Sequence, residues 1–297
     1  MNQGVLVLGW MKPGKNADDF LRDGYEEETI NLIMDIAHKH NIKVCFHLLH
    51  YSDQTEDMLY EDIEYIFEHF SSHPAFYRTE EFDFPLNING KPIFYIEGVQ
   101  YRPPSYWKSL FNKMGDKMGR IREKFDAVYI AKLIAEQQLT IISKSGFDGI
   151  YTWHGSHVSS PVANPLKWRD LSTWAETNGM LFCPTVSPGY NSFKYNLGYT
   201  LHVTERKKGT VYEESWSKAI ESSAPIISVN SFNHWHLGTQ IEAAIPKKLN
   251  EKEKDYLDYE GGSPNMYLEL TRKWSSKYSF FQSSNKNRDF FLGGKKN

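Results

Sequence analysis

The stretch IISVNSFNHWHLGTQIE, from Ile226 to Glu242, changes character halfway along its length. Its first part is apolar and rich in β-branched residues, which is typical of a buried strand. Its second part is dense in polar and aromatic side chains: Asn233, His234, Trp235, His236, Gln240 and Glu242. A strand that ends in such a cluster is typical of an active site on an α/β scaffold, although a polar loop that only caps a sheet has the same pattern.

Apolar runs of strand length recur upstream of this stretch, and helical patterns separate the first of them. The runs are residues 5–9, 44–49, 93–97, 127–131, 149–153 and 180–186, and residues 226–232 close the series. Helical spacing is carried by Ile30, Ile33, Met34 and Ala37, and then by Ile63, Ile66, Phe67 and Phe70. Because strands that alternate with helices pair in parallel, we predict an α/β fold of the (β/α)8 TIM-barrel type.

Composition excludes several classes of function. The net charge is −3, so no basic surface for nucleic acid or anionic membrane is expected. No apolar stretch reaches the roughly 18 residues of a membrane-spanning helix, and the first residues lack the pattern of a signal peptide. On these grounds alone we expect a cytoplasmic chain or a fragment, and no cofactor is predicted. Cys45 and Cys183 lie in apolar runs and are expected to be buried thiols.

The stretch from Ser231 to Glu242 resembles the signature of the endo-α-1,2-mannosidases, glycoside hydrolase family 99, which reads Ser-Phe-Asn-Glu-Trp-His-Glu-Gly-Thr-Gln-Ile-Glu. Four further segments are similar to family landmarks: SSHPAFYR at 71–78, GFDGIYTW at 146–153, CPTVSPGY at 183–190 and YLELTRKW at 267–274. We therefore predict one glycosidase-like barrel over residues 1–274 and a weakly ordered tail over residues 275–297, which is rich in Ser, Asn, Lys and Gly.

The resemblance also implies features outside the seven predicted strands. A family strand would precede residue 5, so we expect a barrel that lacks its first strand and exposes strand edges, with a partner that covers the gap as one consequence. The family's membrane anchor and its placement in the Golgi lumen would likewise lie with a segment upstream.

The two positions at which the signature differs are the family's catalytic glutamates. By resemblance, the first takes the proton from the sugar's own 2-hydroxyl to give a 1,2-anhydro sugar, and the second acts as acid and then as base. This sequence has His234 and Leu237 there. Leucine transfers no proton, whereas histidine can act as a base near neutral pH. We predict that no catalytic residue is intact and that hydrolysis is impaired.

The cleft positions that remain are predicted to bind an α-mannoside or glucosyl-mannoside glycan. By resemblance these residues are His47, Tyr51, Trp153, Tyr190, Asn233, Trp235, His236, Gln240 and Glu242. Other cleft motifs have changed, and the family's Tyr-Asp pair is Glu97 and Gly98 here. Two alternatives stay open: an active enzyme with a relocated acid/base pair drawn from Glu97, Asp148 and Glu242, or a non-enzymatic interaction scaffold.

A metal site is a further alternative from a different class of chemistry. His234 and His236 have the spacing of two that places side chains on one face of a strand. Together with His47, His154 and His157 they would suit zinc with an open position for water. Neutral histidines that form hydrogen bonds in a sugar cleft explain the same residues, and we predict no metal.

Overall fold

The computed structural model describes residues 4–12, 27–79, 88–113, 119–153, 160–191, 203–245 and 259–292, with side chains up to residue 282 in the last range. The chain divides into two compact units. The first unit comprises residues 3–151 and 175–181, and the second comprises residues 152–174 and 182–297. Each unit has its own set of buried apolar side chains.

Strands and helices alternate along the chain, as the sequence predicts. The strands are β1 (Val5–Trp10), β2 (Lys43–Leu48), β3 (Ile93–Ile96), β4 (Val128–Leu133), β5 (Gly149–Thr152), β6 (Leu181–Cys183), β7 (Thr185–Val186), β8 (Tyr190–Asn191), β9 (Val203–Thr204) and β10 (Ser228–Val229). The helices are α1 (Glu27–Lys39), α2 (Glu56–Phe70), α3 (Pro104–Phe111), α4 (Arg120–Lys124), α5 (Leu139–Ser143), α6 (Trp168–Thr177), α7 (Thr210–Glu221) and α8 (Met266–Leu292).

The first unit is built on a sheet whose strand order follows the chain, β1-β2-β3-β4-β5-β6. Strands β1 to β4 pair in parallel, and His47 lies opposite Gly9 on one side and Tyr95 on the other. This register places the carboxyl ends of neighbouring strands at one edge of the sheet, which is where parallel α/β folds carry their functional groups. The boundary between the two units falls within β5, after Tyr151, and within β6, after Leu181.

Helices α1 and α2 each turn one apolar stripe toward the interior of the first unit. The buried residues are Ile30, Met34 and Ala37 in α1, and Leu59, Ile63, Ile66 and Phe70 in α2. Helix α2 begins after Thr55, whose side-chain oxygen accepts a hydrogen bond of 3.2 Å from the backbone N–H of Met58. This N-cap satisfies one of the unpaired donors at the start of the helix.

The second unit contains two short strand pairs. Strand β7 pairs in parallel with β10, and β8 pairs antiparallel with β9. Helix α8 continues through Leu292, past residue 274, after which a weakly ordered tail is predicted. The Tyr278 hydroxyl on this helix donates to the carbonyl oxygen of Ala224 over 2.9 Å. The predicted domain boundaries stay predictions.

The predicted strand over residues 226–232 is shorter and more exposed than expected. Only Ser228 and Val229 form a strand, and Ile226 and Ile227 are half-buried rather than buried. Within the described residues β10 pairs only with β7 and β1 pairs only with β2, so these strands do not close into a complete barrel. A strand with one paired neighbour is buried on fewer sides than a central strand, which explains the exposure.

The expectation for the cysteines is confirmed. Cys45 on β2 and Cys183 on β6 are both buried thiols outside any disulfide. Among the helices that the structure describes, none is long and apolar enough to cross a membrane.

Candidate functional site

Residues 231–242, called the site loop here, form a self-contained turn in the second unit. The backbone N–H of Ser231 donates to the carbonyl oxygen of Thr239 over 2.9 Å, and that of Ile241 donates to Ser231 over 2.9 Å. Between these contacts Trp235–Leu237 form a single 3₁₀ turn. Gly238 ends the turn with a φ of 61°, a left-handed conformation that glycine adopts without steric cost.

The positions of the family's catalytic glutamates lie at the two ends of this 3₁₀ turn. His234 precedes the turn, is half-buried, and its backbone N–H donates to the Ser231 hydroxyl oxygen over 2.8 Å. Leu237 ends the turn and is only 4% exposed. A buried apolar side chain therefore occupies the position from which the resemblance expects a proton donor.

A carboxylate of the site loop holds the indole beside His234. The Trp235 Nε1–H donates to Glu242 Oε2 over 2.9 Å, and the Tyr259 hydroxyl donates to the carbonyl oxygen of Glu242. Asn233 and His236 are exposed on the same loop. The Glu242 carboxylate thus positions Trp235, one of the aromatic residues predicted to contact sugar.

Arg206 binds the backbone of the site loop. Its Nη2 donates to the carbonyl oxygens of Gly238 and Gln240 over 3.0 and 2.9 Å, and its guanidinium lies over the rings of Tyr259 and Tyr267. Burial lowers the pKa of Arg206 from its ordinary value. Gln240, predicted to bind sugar, is fully buried by this arrangement.

Two further predicted sugar-binding residues lie in the second unit. The carbonyl oxygen of Trp153 accepts a hydrogen bond of 2.8 Å from Asn230 Nδ2. Asn230 follows β10 and leads into the site loop, and its carbonyl oxygen accepts from the Ser187 hydroxyl over 2.7 Å. Tyr190 begins β8 and is half-buried. These contacts tie the backbone around Trp153 to the start of the site loop.

The first unit carries a second polar group of residues at the carboxyl ends of its strands, which we call the Glu97 cluster: His47, Glu97, Lys132 and Tyr151. The Lys132 Nζ donates to Glu97 Oε1 over 2.6 Å, and His47 Nε2 lies 3.3 Å from the same oxygen. The Tyr151 hydroxyl lies 2.7 Å from His47 Nε2. Residues from four different strand ends therefore meet at one point of this sheet.

Charge in this cluster is set by burial and by two neighbours of the carboxylate. Burial alone would raise the pKa of Glu97, but the Lys132 ammonium and the His47 imidazole together hold it well below its usual range. Glu97 is therefore a carboxylate at neutral pH and has no proton to donate. This does not suit the general-acid role that a relocated catalyst would need.

Asp148, the second candidate for a relocated catalyst, is committed to structural contacts. Its Oδ2 accepts from Arg122 Nη2 over 2.5 Å and from the backbone N–H of Tyr129 over 2.8 Å, and its Oδ1 pairs with Lys113 over 2.7 Å. Arg122 also donates to three carbonyl oxygens, those of Phe111, Ala127 and Gly146. The pair joins β4 and β5 to α4 inside the first unit.

Tyr51, which the resemblance assigns to the sugar cleft, lies in an apolar cluster with Met11 and Leu49 and is 1% exposed. Its hydroxyl donates to Asp62 Oδ2 over 3.1 Å, and the Trp10 Nε1–H donates to Asp62 Oδ1 over 3.2 Å. Burial raises the pKa of Asp62 from its ordinary value of 3.8 to about 6, against the lowering effect of these two hydrogen bonds.

The raised pKa of Asp62 predicts a pH-dependent stability. Because the folded state holds the proton more tightly than the unfolded state, this contribution is complete below pH 4 and is lost as the pH rises to about 6. A pKa difference of about 2 corresponds to about 3 kcal/mol. We expect Asp62→Asn to gain about this much in free energy of unfolding relative to the wild type between pH 4 and pH 7. Denaturant unfolding of both chains at the two pH values measures the change, and a constant difference would contradict it.

The metal hypothesis depends on histidines that the structure brings together only in part. Residues 235–237 form a 3₁₀ turn rather than a strand, so the prediction that His234 and His236 share a strand face is wrong. His154 and His157 lie outside the described residues. Within the described ranges, no group of three or more His, Cys, Asp or Glu side chains could hold a metal ion.

Two residues of these sites, Lys132 and Arg206, were not predicted from the sequence. Lys132 had a detectable signal, because a lysine inside the apolar strand β4 needs a buried partner. Arg206 had none, because it follows a two-residue strand and precedes a polar turn.

Three kinds of comparison identify related proteins. Residues 1–280 match the model of glycosyl hydrolase family 99. The chain is 37% identical to the glycoprotein endo-α-1,2-mannosidase of Mus musculus over 279 residues, which cover 93% of this chain and 58% of that protein. It is 35% identical to the glycoprotein endo-α-1,2-mannosidase-like protein of Homo sapiens over 277 residues, which cover 93% of this chain and 58% of that protein.

Comparison with a solved structure shows that a related protein has the same fold. The GH99 endo-α-mannosidase of Bacteroides thetaiotaomicron is 32% identical, superposes with a TM-score of 0.79, and covers 94% of this chain and 76% of that chain. The predicted α/β fold of the TIM-barrel type is thereby confirmed. The chain spans less than two thirds of the curated relatives it matches. It belongs to glycosyl hydrolase family 99 and is homologous to the glycoprotein endo-α-1,2-mannosidases.

Proposed function

We propose that this chain binds α-mannoside glycans of the N-glycan type and hydrolyses them slowly or not at all. The observation that carries the proposal is Leu237, a buried apolar side chain at the position where the resemblance expects the acid/base glutamate. The related proteins support the substrate class, since they are named glycoprotein endo-α-1,2-mannosidases. The Golgi lumen, which the family resemblance implies, is the compartment that we propose for this role.

The chemistry of the reaction explains why this position matters. Cleavage of a glycosidic bond leaves an alkoxide unless an acid protonates the departing oxygen. His234 can supply a base for the sugar's 2-hydroxyl, but Leu237 supplies no acid. The loss of one general acid or base typically costs about 10²- to 10⁴-fold in rate. The loss of a coupled pair leaves little activity, although such effects are not additive.

The three candidate carboxylates, Glu97, Asp148 and Glu242, do not offer a replacement pair. Glu97 is held in its ionised form by Lys132, and Asp148 is enclosed by Arg122 and Lys113. Glu242 accepts the indole N–H of Trp235. These contacts favour the impaired protein over an active enzyme with relocated catalysts.

The proposed binding function rests on aromatic and polar side chains around the site loop. Trp153, Tyr190 and Trp235 offer ring faces, which suit the apolar C–H face of a pyranose. Asn233 and His236 are exposed and offer hydrogen-bonding groups on the same loop as Trp235. The combination suits a neutral sugar rather than a charged ligand.

Titration with the trisaccharide glucosyl-α-1,3-mannosyl-α-1,2-mannose, followed by NMR, tests both parts of the proposal. We expect broadening or shifts of the sugar signals on addition of the chain, and no new reducing-end signals over several days. Unchanged sugar signals with a folded chain would contradict binding and would leave the interaction scaffold as the better account. Release of a disaccharide would contradict the impairment.

A further inference from the structure

The Glu97 carboxylate uses only one of its two oxygens within the part of the chain that the structure describes. Oε1 is shared by Lys132 Nζ at 2.6 Å and His47 Nε2 at 3.3 Å, whereas Oε2 forms no hydrogen bond with a described residue. The side chain of Glu97 is 15% exposed. An ionised carboxylate is purely an acceptor, and a nearly buried one gains from every donor that reaches it.

The backbone around Glu97 fixes where this oxygen lies. Glu97 follows β3, and its N–H donates to the carbonyl oxygen of Leu48 over 3.1 Å. Gly98 has a φ of +84°, and a Cβ there would lie 2.7 Å from His50 Nδ1. This position therefore requires glycine, and the turn that it makes holds Glu97 at the carboxyl edge of the sheet.

Charge decides which class of ligand suits the cluster. The Lys132 ammonium is already paired with Glu97, so the cluster offers no uncompensated positive charge to an anion. A metal ion would need at least three ligands, and the described residues contain no such group. A neutral ligand with hydroxyl groups suits the cluster best, because O–H groups donate strong, short hydrogen bonds to an ionised carboxylate.

We propose that Glu97 is the hydroxyl-binding residue of a sugar site in the first unit, where its Oε2 accepts a hydrogen bond from one hydroxyl of a neutral pyranose. Lys132 and His47 both contact Oε1 and keep the carboxylate in place. The inference rests on the proposed function, because it assigns the same class of ligand, a neutral sugar, to the Glu97 cluster. By resemblance, Glu97 and Gly98 stand where the family has a Tyr-Asp pair, so this carboxylate is not part of the family pattern.

The test combines variants of the protein with deoxy analogues of the sugar. Affinities for the trisaccharide and for its monodeoxy analogues are measured by calorimetry for the wild type and Glu97→Gln. We expect Glu97→Gln to weaken trisaccharide binding about 10- to 100-fold, as expected for the loss of a hydrogen bond to a charged group. One monodeoxy analogue should bind the wild type more weakly than the trisaccharide does, by a similar factor. Its affinity for Glu97→Gln should be nearly the same as its affinity for the wild type.

Two further variants keep the test decisive. Glu97→Gln leaves the Lys132 ammonium without its counter-charge, which destabilises the fold. The double variant Glu97→Gln/Lys132→Met removes both charges, so it tests binding in a chain that has no unpaired charge at this place. Glu64→Gln, which removes a surface ion pair with Lys124, is the matched control and should bind like the wild type. Trisaccharide binding by the wild type with no analogue coupled to Glu97 would overturn this inference alone. A folded wild type that binds no sugar would overturn the proposed function as well.

Discussion

A chain in which His234 and Leu237 are both replaced by glutamate is expected to release disaccharide from the trisaccharide at least about 10²-fold faster than the wild type. The two residues lie at the ends of one 3₁₀ turn, whose backbone is already set by hydrogen bonds of the site loop. The change therefore restores an acid/base pair at the positions that the family signature assigns to it. The release of reducing sugar over time measures the effect.

The environment of Leu237 favours the acid role of the new glutamate. A carboxyl at this 4% exposed position would be desolvated, and burial raises the pKa of a carboxyl toward the neutral range in which it can donate a proton. The double glutamine variant is the matched control, because it keeps the shape and removes the proton transfer. A folded glutamate variant that binds the trisaccharide and still does not cleave it would show that more than these two positions limits the rate.

Asp148→Ala is expected to lower the free energy of unfolding by about 3–5 kcal/mol, the largest loss of stability that we predict for a single substitution. The change leaves the Arg122 guanidinium, whose side chain is 7% exposed, without its carboxylate. It also removes the acceptor of the Tyr129 backbone N–H inside the sheet. Chemical denaturation measures the difference.

An exposed aspartate provides the control for this prediction. Asp126→Ala removes a surface ion pair with Lys91, and its effect should stay within about 1 kcal/mol. Asp148→Asn keeps the shape and one acceptor, so it should fall between the two alanine variants. Equal stability of Asp148→Ala and Asp126→Ala would contradict the assignment of Asp148 to the structural network and would reopen its candidacy as a catalyst.

The strands of the first unit were predictable from local pattern because the residues that form them are apolar on both faces. The run at 44–49, for example, corresponds to β2 within one residue, and its neighbour at 93–97 ends one residue late. The strand at 226–232 was overestimated, because apolar composition does not reveal that only Ser228 and Val229 find a pairing partner in β7. Pairing depends on residues more than 40 positions away in the chain.

The site was predictable where a motif carries it and unpredictable where long-range contacts build it. The motif indicated residues 231–242, but a spacing of two between His234 and His236 suits a strand and a tight turn equally well. The Glu97 cluster joins residues that are 35 positions apart at Lys132 and 104 positions apart between His47 and Tyr151. Such contacts follow from the parallel register of the sheet, which a strand count alone does not supply.

Prolonged incubation of the chain with the trisaccharide in H₂¹⁸O tests binding without turnover most directly. Hydrolysis places one solvent oxygen on the new reducing end, so mass spectrometry detects even rare cleavage events. We expect that a sample which binds the trisaccharide contains no more ¹⁸O-labelled disaccharide than a protein-free control. Labelled disaccharide that forms in proportion to the amount of added chain would contradict it.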